Sequence, residues 1–288
     1  MRVPPQARAL PGGRLHLQHG PIDLILGVSA DPAAKEAAFR AATLRFATVL
    51  DELCAELVGL RSEAGPHAPP LHGPVARRMA AAVRPYAAQC FITPMAAVAG
   101  AVADEMLAAM TAAALRRAYV NNGGDIALHL APSERFRIGM VDRPDRPGLF
   151  GAAEVRAHEP IRGLATSGWR GRSFSLGIAD AVTVLAATAA EADAAATVIA
   201  NAVDLPGHPA IRRTPASELQ PDSDLRGRRV TAAVGVLTPG EIGRALDGGA
   251  RVAGRLRQEG LIAAAAMHCQ GTTRTAGAPV LAREAAHA

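Results

Sequence analysis

At three places in this chain a residue able to cap a helix stands directly before a proline and ahead of a long helical pattern: Asp31-Pro32, Thr93-Pro94 and Thr238-Pro239. A side-chain oxygen at the cap accepts one of the helix's first amide protons. The proline then pre-sets φ for the first turn, where its missing N–H costs nothing. Each pair therefore fixes where a helix begins. They predict helices from Asp31-Pro32 to near Gly59, from Thr93-Pro94 through Met95 to about Arg117, and from Thr238-Pro239 to about Gln258. In the first, Phe39, Leu44, Phe46, Val49, Leu50, Leu53 and Leu57 recur at mixed three- and four-residue spacing, which gives an apolar stripe. Thr188-Ala189-Ala190-Glu191 has the pattern of a capping box opening a helix to about Val203, and Val75 to Ala87 reads as one more.

Between these helices the apolar period changes from about 3.6 to 2. Arg14–His19 and Ile22–Gly27 flank the turn His19-Gly20-Pro21 and read as a hairpin. From Arg117 onward, Ala118–Val120, Asp125–Leu130, Phe136–Val141, Ala152–Ala157, Gly163–Ala165 and Ala179–Leu185 read as short strands, a sheet of about five or six. Val230–Leu237 and Leu261–Met267 follow. Ser62–Gly73 and Pro206–Arg228 are rich in turn residues and read as loops, and the chain beyond Gln270 reads as a disordered tail. The two periods alternate throughout, so the fold class is mixed α/β (α+β). Residues 1–270 are expected to form one domain and residues 271–288 the tail. Strands flanking paired helices recur loosely in both halves, compatible with a duplicated ββαα unit.

Apolar residues make up 49% of the chain and aromatics only 3%, so Ala, Val, Leu and Ile must build the core. The net charge of +5 comes from scattered Arg, with Lys35 the only lysine, and no basic run points to nucleic acid. Arg170, Arg172, Arg212 and Arg213 form the only local clusters near motifs. The longest apolar stretch, Met95 to Leu115, is broken by Asp104 and Glu105, which argues against a membrane span. The N-terminus lacks a signal-peptide pattern, so the expected location is the cytoplasm. Cys54, Cys90 and Cys269 lie far apart, which disfavours a disulfide framework or a zinc site and leaves buried, reduced thiols as the expectation.

Three segments are able to carry chemistry. In Asn122-Gly123-Gly124-Asp125-Ile126, paired glycines free backbone amides to approach a phosphate or a ring edge, while an ordinary tight hairpin turn accounts for the same residues. In Ala165-Thr166-Ser167-Gly168-Trp169-Arg170, two hydroxyls and a cation follow a strand, as in a phosphate-holding turn or a plain loop. Trp169, the only tryptophan, suits stacking on an aromatic ligand or packing at a rim. On the capped helix, Asp193, Thr197, Asn201 and Asp204 fall within one sector of roughly 80° at ~100° per residue. That oxygen-rich stripe is either a solvated face or the donor set a hard cation such as Mg²⁺ accepts. Asp222-Ser223-Asp224 adds carboxylates or simply starts a turn. No His-Glu-x-x-His, Gly-x-Ser-x-Gly, Walker loop or Gly-x-Gly-x-x-Gly pattern is present.

In order and spacing, Asn122-Gly123-Gly124-Asp125-Ile126, Ala165-Thr166-Ser167-Gly168 and Ala192-Asp193-Ala194-Ala195-Ala196-Thr197 resemble the three landmarks of ApbE-like proteins: a Gly-Gly-Asp/Asn turn, a Thr-Ser-Gly turn and an Ala-Asp-Ala-Leu-Ala-Thr helix. The resemblance covers roughly residues 15 to 270 and is closest to a prokaryotic branch distinct from the flavin transferases proper. It implies a T-fold-like core of mixed sheet and packed helices. It also implies FAD held near Asn122, Gly123, Gly124, Asp125, Thr166, Ser167 and Gly168, and Mg²⁺ held partly by Asp193 and Thr197. In such transferases Mg²⁺ polarises the FAD pyrophosphate while a hydroxyl of a partner protein attacks, transferring FMN and releasing AMP.

This chain departs from the transferases in carrying Phe174-Ser175-Leu176-Gly177-Ile178-Ala179-Asp180 where they have His-Ile-Ile-Asp-Pro-x-Thr-Gly, with Asp180 as a candidate replacement for the aspartate. An export signal usual in that family is also absent. Three readings follow: a Mg²⁺-dependent enzyme acting by transfer or hydrolysis at the FAD pyrophosphate, a non-catalytic flavin- or nucleotide-binding protein, and a different enzyme on the same scaffold. The expected partners are a small nucleotide or flavin and an acceptor protein, with no nucleic acid and no membrane, and oligomerisation left open.

Overall fold

The computed structural model describes residues 4–112, 114–141, 148–277 and 280–281. In chain order the elements are β1 (Gln6–Leu10), β2 (Arg14–His19), β3 (Ile22–Ser29), α1 (Pro32–Ala55), α2 (Leu57–Leu60), α3 (Pro74–Val83), α4 (Val98–Met110), β4 (Arg117–Asn122) and β5 (Asp125–Leu130). There follow β6 (Arg135–Val141), β7 (Leu149–Arg156), β8 (Gly163–Ser167), β9 (Ala181–Ala186), α5 (Ala189–Ala202), β10 (Ile211–Pro215), α6 (Ala216–Leu219) and β11 (Arg229–Val234). The last are α7 (Pro239–Gln258), β12 (Ala264–Cys269), β13 (Thr272–Ala276) and β14 (Val280–Leu281). Helices and strands alternate along the chain, as the two apolar periods require, and the fold class is mixed α/β.

The chain divides into two units: Met1–Arg135, Arg156–Ala165 and Ala186–Ala194 in the first, and Phe136–Val155, Thr166–Leu185 and Ala195–Ala288 in the second. In the first unit β1 to β5 pair in sequence order, each antiparallel to the next, and Gly163 and Leu164 of β8 pair with Ala127 and Ile126 of β5. Side chains alternate across such a sheet. Leu17, Leu24, Leu26, Ala118 and Val120 point to one buried side, where they meet the apolar faces of α1 (Ala38, Ala42, Phe46, Val49, Leu53) and α4 (Ala101, Val102, Met106, Met110). In the second unit β12 pairs antiparallel with both β9 and β13, and α7 lays Ile242, Ala245, Leu246, Ala253 and Leu256 inward. Smaller sheets join β10 to β11 and β7 to β14.

The caps act largely as their sequences imply. Asp31 Oδ1 accepts from Ala34 N at 2.9 Å, and Thr238 with Glu241 forms a complete capping box on α7. Thr188 Oγ1 accepts from Glu191 N at 3.2 Å at the start of α5.

Thr93-Pro94 departs from expectation. Pro94–Ala97 is a 3₁₀ turn with no side-chain cap, and the α-helix starts only at Val98 and ends at Met110 rather than near Arg117. Its cap comes from a different helix, as the site geometry shows. The Pro206–Arg228 segment holds β10 and α6 instead of being a loop throughout, because Arg212 to Pro215 find ladder partners in β11. Thr272–Ala276 is a strand paired with β12, so the tail predicted beyond Gln270 is ordered at its start; most of its remainder lies outside the described residues. Strand β1 went unpredicted, and Cys90 is exposed while Cys269 is buried.

Candidate functional site

In the first unit, Asn122 and Asp125 are cross-strand partners closing β4 onto β5, and the two glycines between them make a two-residue turn. Gly123 has φ +67° and Gly124 φ +114°, conformations that side chains rarely accept, which is why this hairpin needs the pair. Asn121 Oδ1 accepts from Gly124 N at 2.8 Å and fixes the turn. A Cβ added at Gly124 would meet nothing within 4 Å, so the backbone there faces open space. Asn122 is buried and donates through Nδ2 to the Ala99 carbonyl at 3.1 Å. The hairpin is thereby tied to the first turn of α4.

Asp193 meets that same turn. Its Oδ2 accepts from Gly100 N at 3.0 Å and it also takes the Ala99 amide, supplying the cap that Thr93 does not. Asp104 on α4 returns the arrangement: Oδ1 accepts from Ala189 N at 3.0 Å and Oδ2 from Ala190 N at 2.9 Å, at the first turn of α5. The two helices cap each other through carboxylates borne on their own bodies, an exchange no local sequence window could reveal. Only the acidic interruption of the apolar Met95–Leu115 stretch hinted at it.

Burial and, secondarily, the charge of Asp125 hold the Asp193 carboxyl well above the usual carboxylate range. Burial likewise pushes Asp104 up to about 6, against the opposing pull of the two amides. Asp125 itself is buried. Two carboxyls repelling each other in a poorly hydrated place are a site where bound positive charge is worth most. Their donor chemistry, hard oxygen with one or two carboxylates, fits Mg²⁺, which ordinarily completes its shell with water and substrate phosphate. Among the described residues no group of three or more His, Cys, Asp or Glu is arranged to hold a metal.

The second unit holds Thr166, Ser167, Gly168 and Thr197. Thr166 Oγ1 lies 2.9 Å from Thr183 Oγ1 across to β9. Gly168 is there for volume: a Cβ would run into the carbonyl of Asp180. One face of Trp169 is taken by the Arg170 guanidinium, which lies over its ring at 4.3 Å. Asp180 is bound by Arg170 Nε at 2.7 Å and by Gln270 N at 2.6 Å, so its side chain braces the loop.

Thr197 is half-buried on α5, one turn beyond Asp193. The lower part of the predicted oxygen stripe is structural: Asn201 Oδ1 accepts from Leu176 N at 2.9 Å and lies 3.3 Å from Ser175 Oγ, and Asp204 pairs with Arg213. Asp222 accepts from its neighbour Gln220 in an exposed turn. No helix among the described residues is long and apolar enough to cross a membrane.

Comparison with known proteins gives three results. A family model described as AbpE bacteria matches residues 7–275. The UPF0280 protein of Methanosphaerula palustris is 39% identical over 145 residues, 46% of this chain and 55% of that one, and the UPF0280 protein of Methanopyrus kandleri is 40% identical over 127 residues, 44% and 48%. The chain thus spans about half the length of the curated relatives it matches. Among solved structures, the flavinyl transferase ApbE of Pseudomonas stutzeri in its apo form aligns over 95% of both chains with 12% identity and a TM-score of 0.44. The flavin transferase ApbE of Vibrio cholerae aligns over 95% of this chain and 97% of its own, with 14% identity and a TM-score of 0.36. With its family model matched along nearly the whole sequence, the chain belongs to the AbpE bacteria family.

Proposed function

We propose that this protein binds a flavin nucleotide together with Mg²⁺ and acts at the nucleotide's pyrophosphate. The observation that carries the reading is the pair Asp125, buried, and Asp193, half-buried and poorly hydrated, in which the Asp125 charge raises the cost of ionising Asp193 beside an open, glycine-lined turn. Asp193 and Thr197 are the proposed metal ligands, with Asp125 contributing negative charge. When bound, Mg²⁺ supplies charge neutralisation and polarisation at phosphate oxygens. The chain's own residues do the rest. The Gly123-Gly124 backbone admits a close ligand approach, Asn122 and Asn121 hold the turn rigid, and the α4 amides keep the Asp193 carboxylate oriented. Thr166, Ser167 and Gly168 are retained as flavin contacts on the family resemblance.

The test is FAD binding, followed by flavin fluorescence with and without Mg²⁺, for the parent chain, Asp193→Asn and Thr197→Ala. The expected result is Mg²⁺-dependent binding weakened at least several-fold in both variants. Unchanged affinity and metal dependence would remove the metal assignment. Release of AMP and FMN from FAD, with or without an acceptor protein, then separates an enzyme from a binding protein. The missing His and Asp-Pro of the transferase segment favour testing hydrolysis alongside transfer.

A further inference from the structure

We infer that Arg170 is a pre-oriented oxyanion receptor in the second unit, taking the phosphate group of a small ligand. Its guanidinium is held on two sides. Nε donates to Asp180 Oδ1 at 2.7 Å, and the flat of the group lies 4.3 Å from the centre of the Trp169 ring. Asp180 is itself fixed, because its other oxygen accepts from Gln270 N at 2.6 Å and its side chain is only 8% exposed. Neither terminal nitrogen, Nη1 or Nη2, has a hydrogen-bond partner among the described residues, although the side chain is 27% exposed.

A guanidinium that spends Nε on its brace and leaves the Nη fork open is shaped for two parallel hydrogen bonds to a phosphate or carboxylate. Stacking on Trp169 removes much of the rotamer entropy that a free arginine loses on binding. Trp169 is thus the backing plate of the cation rather than a platform for a ligand ring. Asp180 neutralises one positive charge, but Arg172, in the same loop, is exposed and has no partner among the described residues, so the loop keeps a net positive charge with which to attract an anion.

The motif Thr166-Ser167-Gly168-Trp169-Arg170 therefore divides its work. Gly168 is fixed by packing, Thr166 is tied to Thr183, and the cation is the member presented outward. A phosphate is favoured over a carboxylate because two nearby cations of one loop suit a group that carries up to two charges.

The test uses the full chain and inorganic pyrophosphate as probe, titrated calorimetrically in the presence of EDTA, so that Mg²⁺ and the Asp193 reading play no part. Parent protein is expected to bind. Arg170→Lys, which keeps the charge and loses the fork, is expected to weaken the affinity about tenfold. Arg170→Ala should weaken it further, Arg172→Ala by only about two- to threefold, and riboflavin affinity should be the same in parent and Arg170→Lys. Circular dichroism and melting temperature establish that each variant is folded. If Arg170→Ala fails to fold, Arg170→Lys carries the test. No pyrophosphate binding by the parent, or equal affinities in parent and Arg170→Lys, would overturn the inference. Loss of Mg²⁺-dependent FAD binding in Asp193→Asn bears only on the proposed function.

Discussion

The Gly123-Gly124 turn and the Thr166-Ser167-Gly168 turn look alike in sequence, each placing glycine just beyond a β-strand beside polar residues, yet the structure uses their glycines for opposite reasons. At Gly124 the requirement is dihedral: φ is +114° and the space where a Cβ would sit is empty. At Gly168 the requirement is volume: a Cβ would strike the Asp180 carbonyl, and the Ala179 carbonyl lies 2.9 Å away. Only an open turn lets another molecule reach the backbone. A glycine in a motif is thus evidence of ligand access only where the space beside it is free.

The contrast breaks most readily at Gly168. Gly168→Ala drives a methyl into backbone that cannot swing aside, so it is expected to destabilise the fold by about 3 kcal/mol, the upper end of ordinary overpacking. Urea denaturation measures it. A loss under about 1 kcal/mol would show that the loop yields and that the two turns differ less than their geometry implies.

A second comparison separates the carboxylates of the two regions. Asp180 is matched by Arg170, whereas Asp104 and Asp193 have no ion-pair partner among the described residues and lean on backbone amides. The Asp104 pKa is raised to about 6, so the native state holds this proton more tightly than the unfolded chain does. Its stabilising contribution is complete below the unfolded value near 4 and is lost as pH rises through about 6. That loss is on the order of 3 kcal/mol at 1.36 kcal/mol per pKa unit, and Asp193, shifted in the same direction, adds to it. Asp104→Asn should therefore flatten the change in unfolding free energy between pH 4 and pH 7 relative to the parent. Parallel profiles for parent and variant would mean that Asp104 is ionised at little cost in the native protein, its two amides compensating fully.

Much of this architecture was legible because its signals are local. The caps at Asp31 and Thr238, the opening hairpin and the glycine turn each depend on residues within a few positions of one another. Asp193 could be singled out as a candidate for the same reason, from its place in a motif on one helix face. What could not be read depends on partners far away in sequence. Thr93-Pro94 has the right residues for a cap, but Pro94–Ala97 winds as a 3₁₀ turn without one, and the α-helix that follows has its Ala99 and Gly100 amides taken by Asp193, about a hundred positions on. Arg212 to Pro215 carry turn-rich flanks and became a strand only because β11 offers a ladder. Asn201 and Asp204 share the polar stripe with Asp193, yet their partners Leu176 and Arg213 convert them to structural roles.

The Gly124 side of the comparison predicts a smaller effect than Gly168. Gly124→Ala meets no atoms, so its cost is the strained backbone alone, about 1 kcal/mol, while the methyl stands where a ligand would approach. Thermal denaturation should show a modest shift, and FAD affinity should fall by a larger factor than that stability change accounts for. Equal FAD affinity in parent and variant would leave the pair of glycines as hairpin chemistry and nothing more.

The smallest effect belongs to Asp222. In sequence, Asp193 stands out as a metal candidate, while Asp222 is a carboxylate that either adds to such a site or simply starts a turn. Asp222 is exposed, and its carboxylate accepts from Gln220, two residues away, at 3.3 Å. In water its charge is screened and already well solvated, so removing it costs little. Asp222→Asn is expected to change stability by less than about 0.5 kcal/mol and to leave Mg²⁺-dependent FAD binding as it is in the parent. Asp193→Asn changes a carboxyl that is poorly hydrated, repelled by Asp125 and engaged by the α4 amides, and so removes both charge and orientation. The pair of variants therefore isolates environment from residue type. If Asp222→Asn weakened Mg²⁺-dependent binding as much as Asp193→Asn, the metal would be drawn by carboxylate charge wherever it lies on the chain, and burial beside Asp125 would lose its place as the feature that marks the site.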